Sequence, residues 1–172
     1  AKVPAGARVA VIGAGGVGLN VIQGAVLSDA AAIIAVDRHA APLALARGFG
    51  ATEVVESPSN TVDAVRALTQ GRGADFVFDT VGTPDTLRDA LGAAAKGGTV
   101  VLTGLSRIDA LASIQMFPFV MQEKRLIGSA YGSGRPTEDI VRLTHWFQEG
   151  RLKLRELVNR TYTLNQIDHA LH

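Results

Sequence analysis

Residues 9–26 read VAVIGAGGVGLNVIQGAV and place four glycines in six residues between an apolar run and a segment of helical composition. This order occurs where a buried strand turns sharply into a helix, because glycine adopts backbone conformations that other residues avoid. Gly13, Gly15 and Gly18 have the spacing G-x-G-x-x-G, which is typical of a strand, a tight turn and a helix in succession. The stretch therefore predicts the first strand and helix of an α/β fold.

The rest of the chain continues this alternation. Short runs rich in Val and Ile predict strands at 8–13, 31–37, 52–56, 74–82, 98–104 and 125–130. Helical spacing separates them at 41–50, 60–70, 83–95 and 116–123. Such alternation implies right-handed crossovers. The predicted fold is a Rossmann-type, doubly wound parallel sheet of six strands with helices on both faces.

Individual helices carry their own signals. In the helix over 41–50 the predicted inner stripe is Leu43, Leu45, Ala46 and Phe49. Gly50 is the expected stop of that helix, and Thr83 is the expected cap of the helix over 83–95.

The chain divides near residue 134. Residues 1–134 are predicted to form the Rossmann domain, and residues 135–172 a separate helical segment. An amphipathic helix is expected from Pro136 onward. Its predicted inward residues are Ile140, Leu143, Trp146 and Phe147.

Composition excludes several classes of protein. With 17 basic and 16 acidic residues the net charge is +1, which offers no broad field for nucleic acid or an anionic membrane. The absence of cysteine excludes a disulfide framework and a cysteine-ligated metal within the chain. Its four histidines suggest no metal site; His169 and His172 are more simply explained as a solvated helix end. No apolar run reaches the roughly 18–20 residues of a membrane helix, so a soluble, cytoplasmic protein is expected.

The glycine turn suggests a phosphate-binding site. Gly13 permits the turn, Gly15 lets the backbone approach a pyrophosphate, and Gly18 lets the helix pack closely. Unpaired N–H groups at the helix start would then face a phosphate. Asp37 ends the next predicted strand, close to the spacing of about 20 residues in the dinucleotide fingerprint. A glycine-rich turn without a ligand stays open as the alternative.

Asp37 also predicts which coenzyme is preferred. A carboxylate can accept hydrogen bonds from the adenosine ribose diol and would repel a 2′-phosphate, so NAD is expected rather than NADP. The adjacent Arg38 complicates this prediction, because a guanidinium could hold a phosphate or lie across the adenine. The two residues could also be a solvated pair at a strand end.

Five segments together resemble the coenzyme-binding part of zinc-dependent alcohol dehydrogenases, of the medium-chain dehydrogenase/reductase superfamily. They are VAVIGAGGVGLNVIQGA, IIAVDRH, FVFDTVG, GGTVVLTGL and KRLIGSAYGSGRPTEDI. The resemblance covers essentially the whole chain in order. It implies that the helical segment over residues 135–172 returns toward a catalytic domain absent from this chain. The form GAGGVG is more similar to the zinc branch than to the zinc-free quinone reductases, which commonly have alanine at the position of Gly15.

The resemblance implies specific cofactor-binding residues. The backbone at Gly16 and Val17 would face the pyrophosphate, with the Val17 side chain near the nicotinamide. Asp37 would hold the adenosine ribose. The positions implied around the nicotinamide, its ribose and its carboxamide are Thr80, Val81, Thr103, Leu105, Ser129 and Tyr131. Sheet-end packing is the alternative for each of these six.

The sequence departs from the family pattern at two points. A lysine often found five positions after the aspartate is Pro42 here, so either Arg38 substitutes for it or adenosine binds more weakly. The family's catalytic zinc is held by cysteine and histidine ligands of another domain, which this sequence does not contain. We therefore expect an excised domain that binds NAD(H) without catalytic residues or a metal of its own and without turnover.

In the intact enzyme, the resemblance implies hydride transfer between a small alcohol or aldehyde and nicotinamide, with zinc in the missing domain. It also implies a homodimer paired through the edge strand near 124–130. One alternative is a zinc-free quinone or enoyl reductase using NADPH, against which Gly15 and Asp37 argue. Others are a non-enzymatic NAD(H)-sensing module and, more distantly, a methyltransferase using S-adenosylmethionine.

Overall fold

The structure, a computed structural model, describes residues 1–57 and 60–171. Strands and helices alternate along this part of the chain. The strands are β1 (Arg8–Ile12), β2 (Ala32–Asp37), β3 (Glu53–Glu56), β4 (Ala74–Asp79), β5 (Ala94–Leu102) and β6 (Arg125–Gly128). The α-helices are α1 (Gly16–Leu27), α2 (Ala40–Gly48), α3 (Thr61–Leu68), α4 (Pro84–Ala93), α5 (Met116–Met121), α6 (Pro136–Gln148) and α7 (Ile167–Leu171).

The strands form one parallel sheet in the order β3-β2-β1-β4-β5-β6. This order confirms the predicted Rossmann-type sheet. The chain crosses over between β3 and β4, so the direction of strand addition reverses at the β1–β4 pair. In open α/β sheets a ligand binds at such a reversal, beyond the carboxyl ends of the strands.

The central strands are apolar because helices cover both faces of the sheet. Val9 and Val11 of β1, Ile34 of β2 and Val77 of β4 have no exposed surface. Burying a side chain of this kind contributes roughly 1.5–3 kcal/mol. These strands therefore form a rigid base for the loops at their ends.

Helix α2 follows its predicted stripe at three of four positions. Leu43, Ala46 and Phe49 are buried, whereas Leu45 is 50% exposed. The prediction for Leu45 is wrong because it lies two residues, about 200° around the helix, from Leu43. Helix α2 ends at Gly48, and Gly50 just beyond it has a φ of +109°, as expected of a glycine that stops a helix.

Several element ends differ from their predicted bounds. The strand predicted over 74–82 ends at Asp79, because the Asp79 carboxylate accepts the next backbone N–H groups and turns the chain out of the sheet. The strand predicted from residue 98 begins at Ala94, with a register shift against β4. Thr83 caps α4 as predicted, in a reciprocal capping box with Thr86.

The chain divides into two compact units, Ala1–Gly134 and Arg135–His172. In the second unit, Trp146 of α6 lies under the guanidinium groups of Arg142 and Arg151, at 5.2 and 5.6 Å from the ring centre. The predicted inward stripe of α6 is only partly covered: Ile140 and Leu143 are 62% and 39% exposed. No helix in the described ranges is both long enough and apolar enough to cross a membrane.

Candidate functional site

The glycine turn joins β1 to α1. Gly13 has a φ of +92°, which favours glycine, and its N–H donates to the Val36 carbonyl at 2.8 Å. A Cβ on Gly18 would lie 1.9 Å from the Gly13 carbonyl oxygen, and one on Gly13 would lie 2.6 Å from Thr80 Oγ1. Both glycines are thus required by close packing. The close neighbour of Gly18 is the backbone of Gly13, at the start of the same glycine turn.

The start of α1 faces open space. A Cβ on Gly15 or Gly16 would meet nothing within 4 Å, and Val17 is 58% exposed. Gly15 is the N-cap and provides no side-chain cap for the first N–H groups of the helix. These donors form the positive end of a twelve-residue helix, which attracts anions. The arrangement fits a pyrophosphate approaching the backbone.

Asp37 lies beside this turn at the end of β2. Its Oδ2 accepts the N–H of Ala14 at 2.8 Å, and its Oδ1 accepts the N–H of His39 at 3.0 Å. Each carboxylate oxygen can accept a further hydrogen bond. The half-buried Asp37 therefore supports the turn and can still accept ligand hydroxyls, while the adjacent Arg38 is exposed.

The predicted residues after β4 line the opposite side of the turn. Thr80 Oγ1 donates to the carbonyls of Ile12 and Gly13, both at 3.0 Å. The Thr80 N–H also donates to Ile12 at 3.0 Å. Val81 follows and is 38% exposed. Thr80 thus fastens the glycine turn to the end of β4, and Val81 borders the open space.

The predicted residues after β5 and β6 occupy the neighbouring loops. Thr103 donates its N–H and its hydroxyl to the Asp79 carbonyl at 2.9 and 3.1 Å, and Leu105 is 94% exposed. Ser129 donates its N–H to Leu102 at 2.9 Å, and Tyr131 is fully exposed. All thirteen predicted cofactor-binding residues therefore lie at the carboxyl edge of the sheet, after β1, β2, β4, β5 and β6.

The sequence analysis missed one residue of this region, Asp79. Its carboxylate is fully buried and accepts three hydrogen bonds, from Val81, Gly82 and Thr86. An acid that ends an otherwise apolar strand and precedes a glycine turn was the available signal. Asp37, by contrast, was predicted from its spacing after the glycine turn.

A separate cleft of about 450 Å³ lies away from the glycine turn, lined by residues that include Arg66, Asp89 and Lys124. Burial raises the pKa of the Asp89 carboxyl, which Arg88 opposes and Asp85 and Asp79 reinforce. Burial, followed by the charge of Arg66, lowers the pKa of Lys124. None of the predicted cofactor-binding residues lines this cleft.

No metal centre is built by the described residues. In residues 1–57 and 60–171, no three His, Cys, Asp or Glu side chains come together in a way that could hold a metal ion. His172, one of the four histidines considered in the sequence, lies outside the described residues. The side chains in these two ranges do not fit a zinc ion.

The strand order, the glycine turn at the sheet's reversal point and the acid at the end of β2 define a Rossmann-type coenzyme-binding class of fold. Residues 16–149 match the family described as zinc-binding dehydrogenase. The chain belongs to this family.

Its relatives are named alcohol dehydrogenases. The NDMA-dependent alcohol dehydrogenase of Amycolatopsis methanolica is 40% identical, over 98% of this chain and 46% of its own length. The class-3 alcohol dehydrogenase of Cereibacter sphaeroides is 35% identical, over 98% and 47%. The crystal structure of benzyl alcohol dehydrogenase from Acinetobacter calcoaceticus superposes with a TM-score of 0.94 at 29% identity, over 99% of this chain and 47% of that one. The chain thus spans about half the length of these relatives.

Proposed function

We propose that this chain binds NAD(H) at the carboxyl edge of its sheet, as the coenzyme-binding part of an alcohol dehydrogenase-like oxidoreductase. The observation that carries the proposal is the Asp37 carboxylate bonded to the Ala14 N–H beside the open start of α1. The pyrophosphate would lie against the backbone of Gly15, Gly16 and Val17. The ribose diol of the adenosine would donate to Asp37.

The same geometry supports NAD over NADP. A 2′-phosphate on the ribose would place its negative charge against the Asp37 carboxylate. Two charges about 4 Å apart repel by roughly 4 kcal/mol at an effective dielectric constant of 20. Arg38 is exposed and can only partly offset this repulsion.

The nicotinamide would lie over the ends of β4, β5 and β6. The coenzyme supplies the carbon that accepts or returns a hydride when it is bound. The residues of this chain would orient its ring. Val17 and Val81 have exposed apolar side chains, and the backbone at Thr103, Leu105, Ser129 and Tyr131 would hold or flank the carboxamide. Such positioning is how the protein contributes to hydride transfer.

The complete reaction is a proposal for a longer protein. The names of the relatives support an alcohol or aldehyde as the small-molecule substrate. The described residues include no metal centre, so we expect the 172-residue chain to bind coenzyme without turnover. Oxidation of a primary alcohol by this chain alone, with zinc added, would contradict that expectation.

We further propose a homodimer formed through β6. This strand is an edge of the sheet, so its outer N–H and C=O groups can pair with a second copy. The preceding helix α5 has no buried residue, although it reads MFPFVM. Phe117 is 78% exposed and Ile127 of β6 is 41% exposed. An apolar surface beside an open edge favours a second copy as its cover.

Calorimetric titration of the 172-residue chain with NADH and with NADPH tests the coenzyme proposal. We expect NADH to bind and NADPH to bind at least tenfold more weakly, a difference of about 1.4 kcal/mol. Tighter binding of NADPH would instead favour the reductase alternative and make Arg38 a phosphate ligand. Binding of neither would contradict the proposal.

A further inference from the structure

Asp79 is the last residue of β4, and its side chain is completely buried. Oδ1 accepts the N–H groups of Val81 at 3.0 Å and Gly82 at 2.9 Å, and Oδ2 accepts the Thr86 hydroxyl at 2.9 Å. A buried carboxyl group is costly unless it is satisfied in this way. The side chain thereby determines the path of the turn over residues 80–82.

The main chain of the same residue holds a second turn. The Asp79 carbonyl accepts the N–H of Thr103 at 2.9 Å, the N–H of Gly104 at 3.0 Å and the Thr103 hydroxyl at 3.1 Å. Asp79 therefore anchors the loop after β4 with its side chain and the loop after β5 with its carbonyl. Both loops carry residues assigned above to the nicotinamide.

The two turns are also in direct contact. A Cβ on Gly82, whose φ is +79°, would lie 2.4 Å from the Gly104 carbonyl oxygen. The Ser106 hydroxyl donates to the Gly82 carbonyl. Close-packed segments of this kind transmit a displacement instead of absorbing it. A shift of the turn after β4 therefore moves the turn after β5.

We infer that Asp79 is the positioning residue for the nicotinamide half of the coenzyme site. Val81 depends on the Asp79 carboxylate for its backbone position, whereas Thr80 is held by its own bonds to Ile12 and Gly13. The hydrogen bonds to the Asp79 carboxylate come from Val81, Gly82 and Thr86, and not from the glycine turn or Asp37. Loss of the carboxylate therefore displaces the nicotinamide contacts and leaves the adenosine and pyrophosphate contacts in place. This inference rests on the proposed function.

ADP-ribose provides the test, because it contains every part of NADH except the nicotinamide. The variants are Asp79→Ala, which removes both acceptors, and Asp79→Asn, which keeps an acceptor for the two N–H groups without the charge. Asp75→Asn is the matched control: Asp75 lies on the same strand at its other end, where it accepts the Arg8 N–H. Each protein is titrated with NADH and with ADP-ribose by calorimetry, and the anisotropy of nicotinamide emission is measured at saturation.

We expect Asp79→Ala to weaken NADH binding about tenfold or more and ADP-ribose binding less than about twofold. Asp79→Asn should weaken NADH binding about threefold, with lower nicotinamide anisotropy and unchanged ADP-ribose binding. Asp75→Asn should change neither affinity.

Four results would overturn the inference. Equal loss of both ligands would show that Asp79 only supports the fold. If Asp79→Ala does not fold, Asp79→Asn takes its place. Unchanged anisotropy and an unchanged ratio of NADH to ADP-ribose affinity in Asp79→Asn would also show that Asp79 does not position the nicotinamide. Equal affinity of the unaltered chain for NADH and ADP-ribose would show that the nicotinamide contributes nothing to binding. The adenosine part of the proposed function would not be affected. Failure of the unaltered chain to bind either ligand would instead contradict the proposed function itself, and with it this inference.

Discussion

The backbone N–H of Ala14 donates a hydrogen bond of 2.8 Å to Oδ2 of Asp37. This bond joins the glycine turn after β1 to the end of β2, two segments that are 23 residues apart in the chain. Asp37, which is proposed to bind the ribose, therefore also supports the glycine turn, which is proposed to bind the pyrophosphate. A change at Asp37 must be designed to separate these two roles.

Asp37→Asn separates them, because an amide oxygen can still accept the Ala14 N–H. We expect NADH affinity to fall roughly tenfold or more, as a hydrogen bond to a charged group contributes about 1.5–3 kcal/mol. NADPH affinity should fall less or rise, since the repulsion of the 2′-phosphate is removed. Titration with both coenzymes measures the ratio. Glu56→Gln is the control, because Glu56 is an exposed acid in register with Asp37 on the next strand; an equal effect of both changes would point to general charge.

Gly18→Ala should destabilise the fold strongly. Its Cβ would lie 1.9 Å from the Gly13 carbonyl oxygen, and two backbone segments would have to separate. We expect a loss of roughly 3 kcal/mol or more in the free energy of unfolding, measured in urea. Gly24→Ala on the same helix is the control: a Cβ there meets nothing within 4 Å, and the change should stabilise by about 0.5–1 kcal/mol. A mild effect at Gly18 would mean that the turn tolerates a side chain.

Asp89→Asn should change the pH dependence of stability. Burial raises the pKa of the Asp89 carboxyl above 3.8, so its contribution to folding is present below 3.8 and is lost as the pH rises through the raised value. The amide of the Asp89→Asn variant does not ionise, so the variant does not lose this stability as the pH rises. The variant should therefore gain stability over the unaltered chain between pH 3 and pH 7, by less than about 1 kcal/mol because the site is partly solvated.

Urea unfolding from pH 3 to pH 7 measures this difference. Asp85→Asn is the matched substitution on the same helix, at an exposed acid in the first turn of α4. A pH-independent difference between Asp89→Asn and the unaltered chain would refute the effect of burial.

Ile127→Lys should weaken the proposed dimer. A lysine on an edge strand opposes pairing with a second copy, and Ile127 is the exposed apolar residue of β6. We expect the dimer dissociation constant to rise more than about tenfold, as measured by sedimentation at several concentrations. Glu53→Lys on β3, the opposite edge of the sheet, should leave it unchanged. A monomeric mass for the unaltered chain at tens of micromolar would exclude the dimer.

Much of the local structure is encoded in short stretches of sequence. The apolar runs around Val9 and Ile34 predict buried strands because a strand covered on both faces must exclude polar side chains. The spacing of Gly13 and Gly18 predicts the turn because only glycine permits its backbone geometry. The spacing after these glycines predicts Asp37 as the acid at the end of the next strand. These features depend on neighbours a few residues away, so a periodic pattern is sufficient to predict them.

Other features depend on which segments the fold brings together. The exposure of Ile140 was mispredicted because helical spacing defines a stripe without showing which part of it is covered. Asp79 was missed because its carbonyl meets Thr103, 24 residues away, only after β4 and β5 pair. The sequence by itself determined the order of strands and helices, the glycine turn and the acid after β2. The tertiary structure alone decided that Asp37 supports this turn and that Asp79 joins two loops. The hydrogen bonds of both residues form between the ends of neighbouring strands, and the order of strands in the folded sheet determines which strands are neighbours.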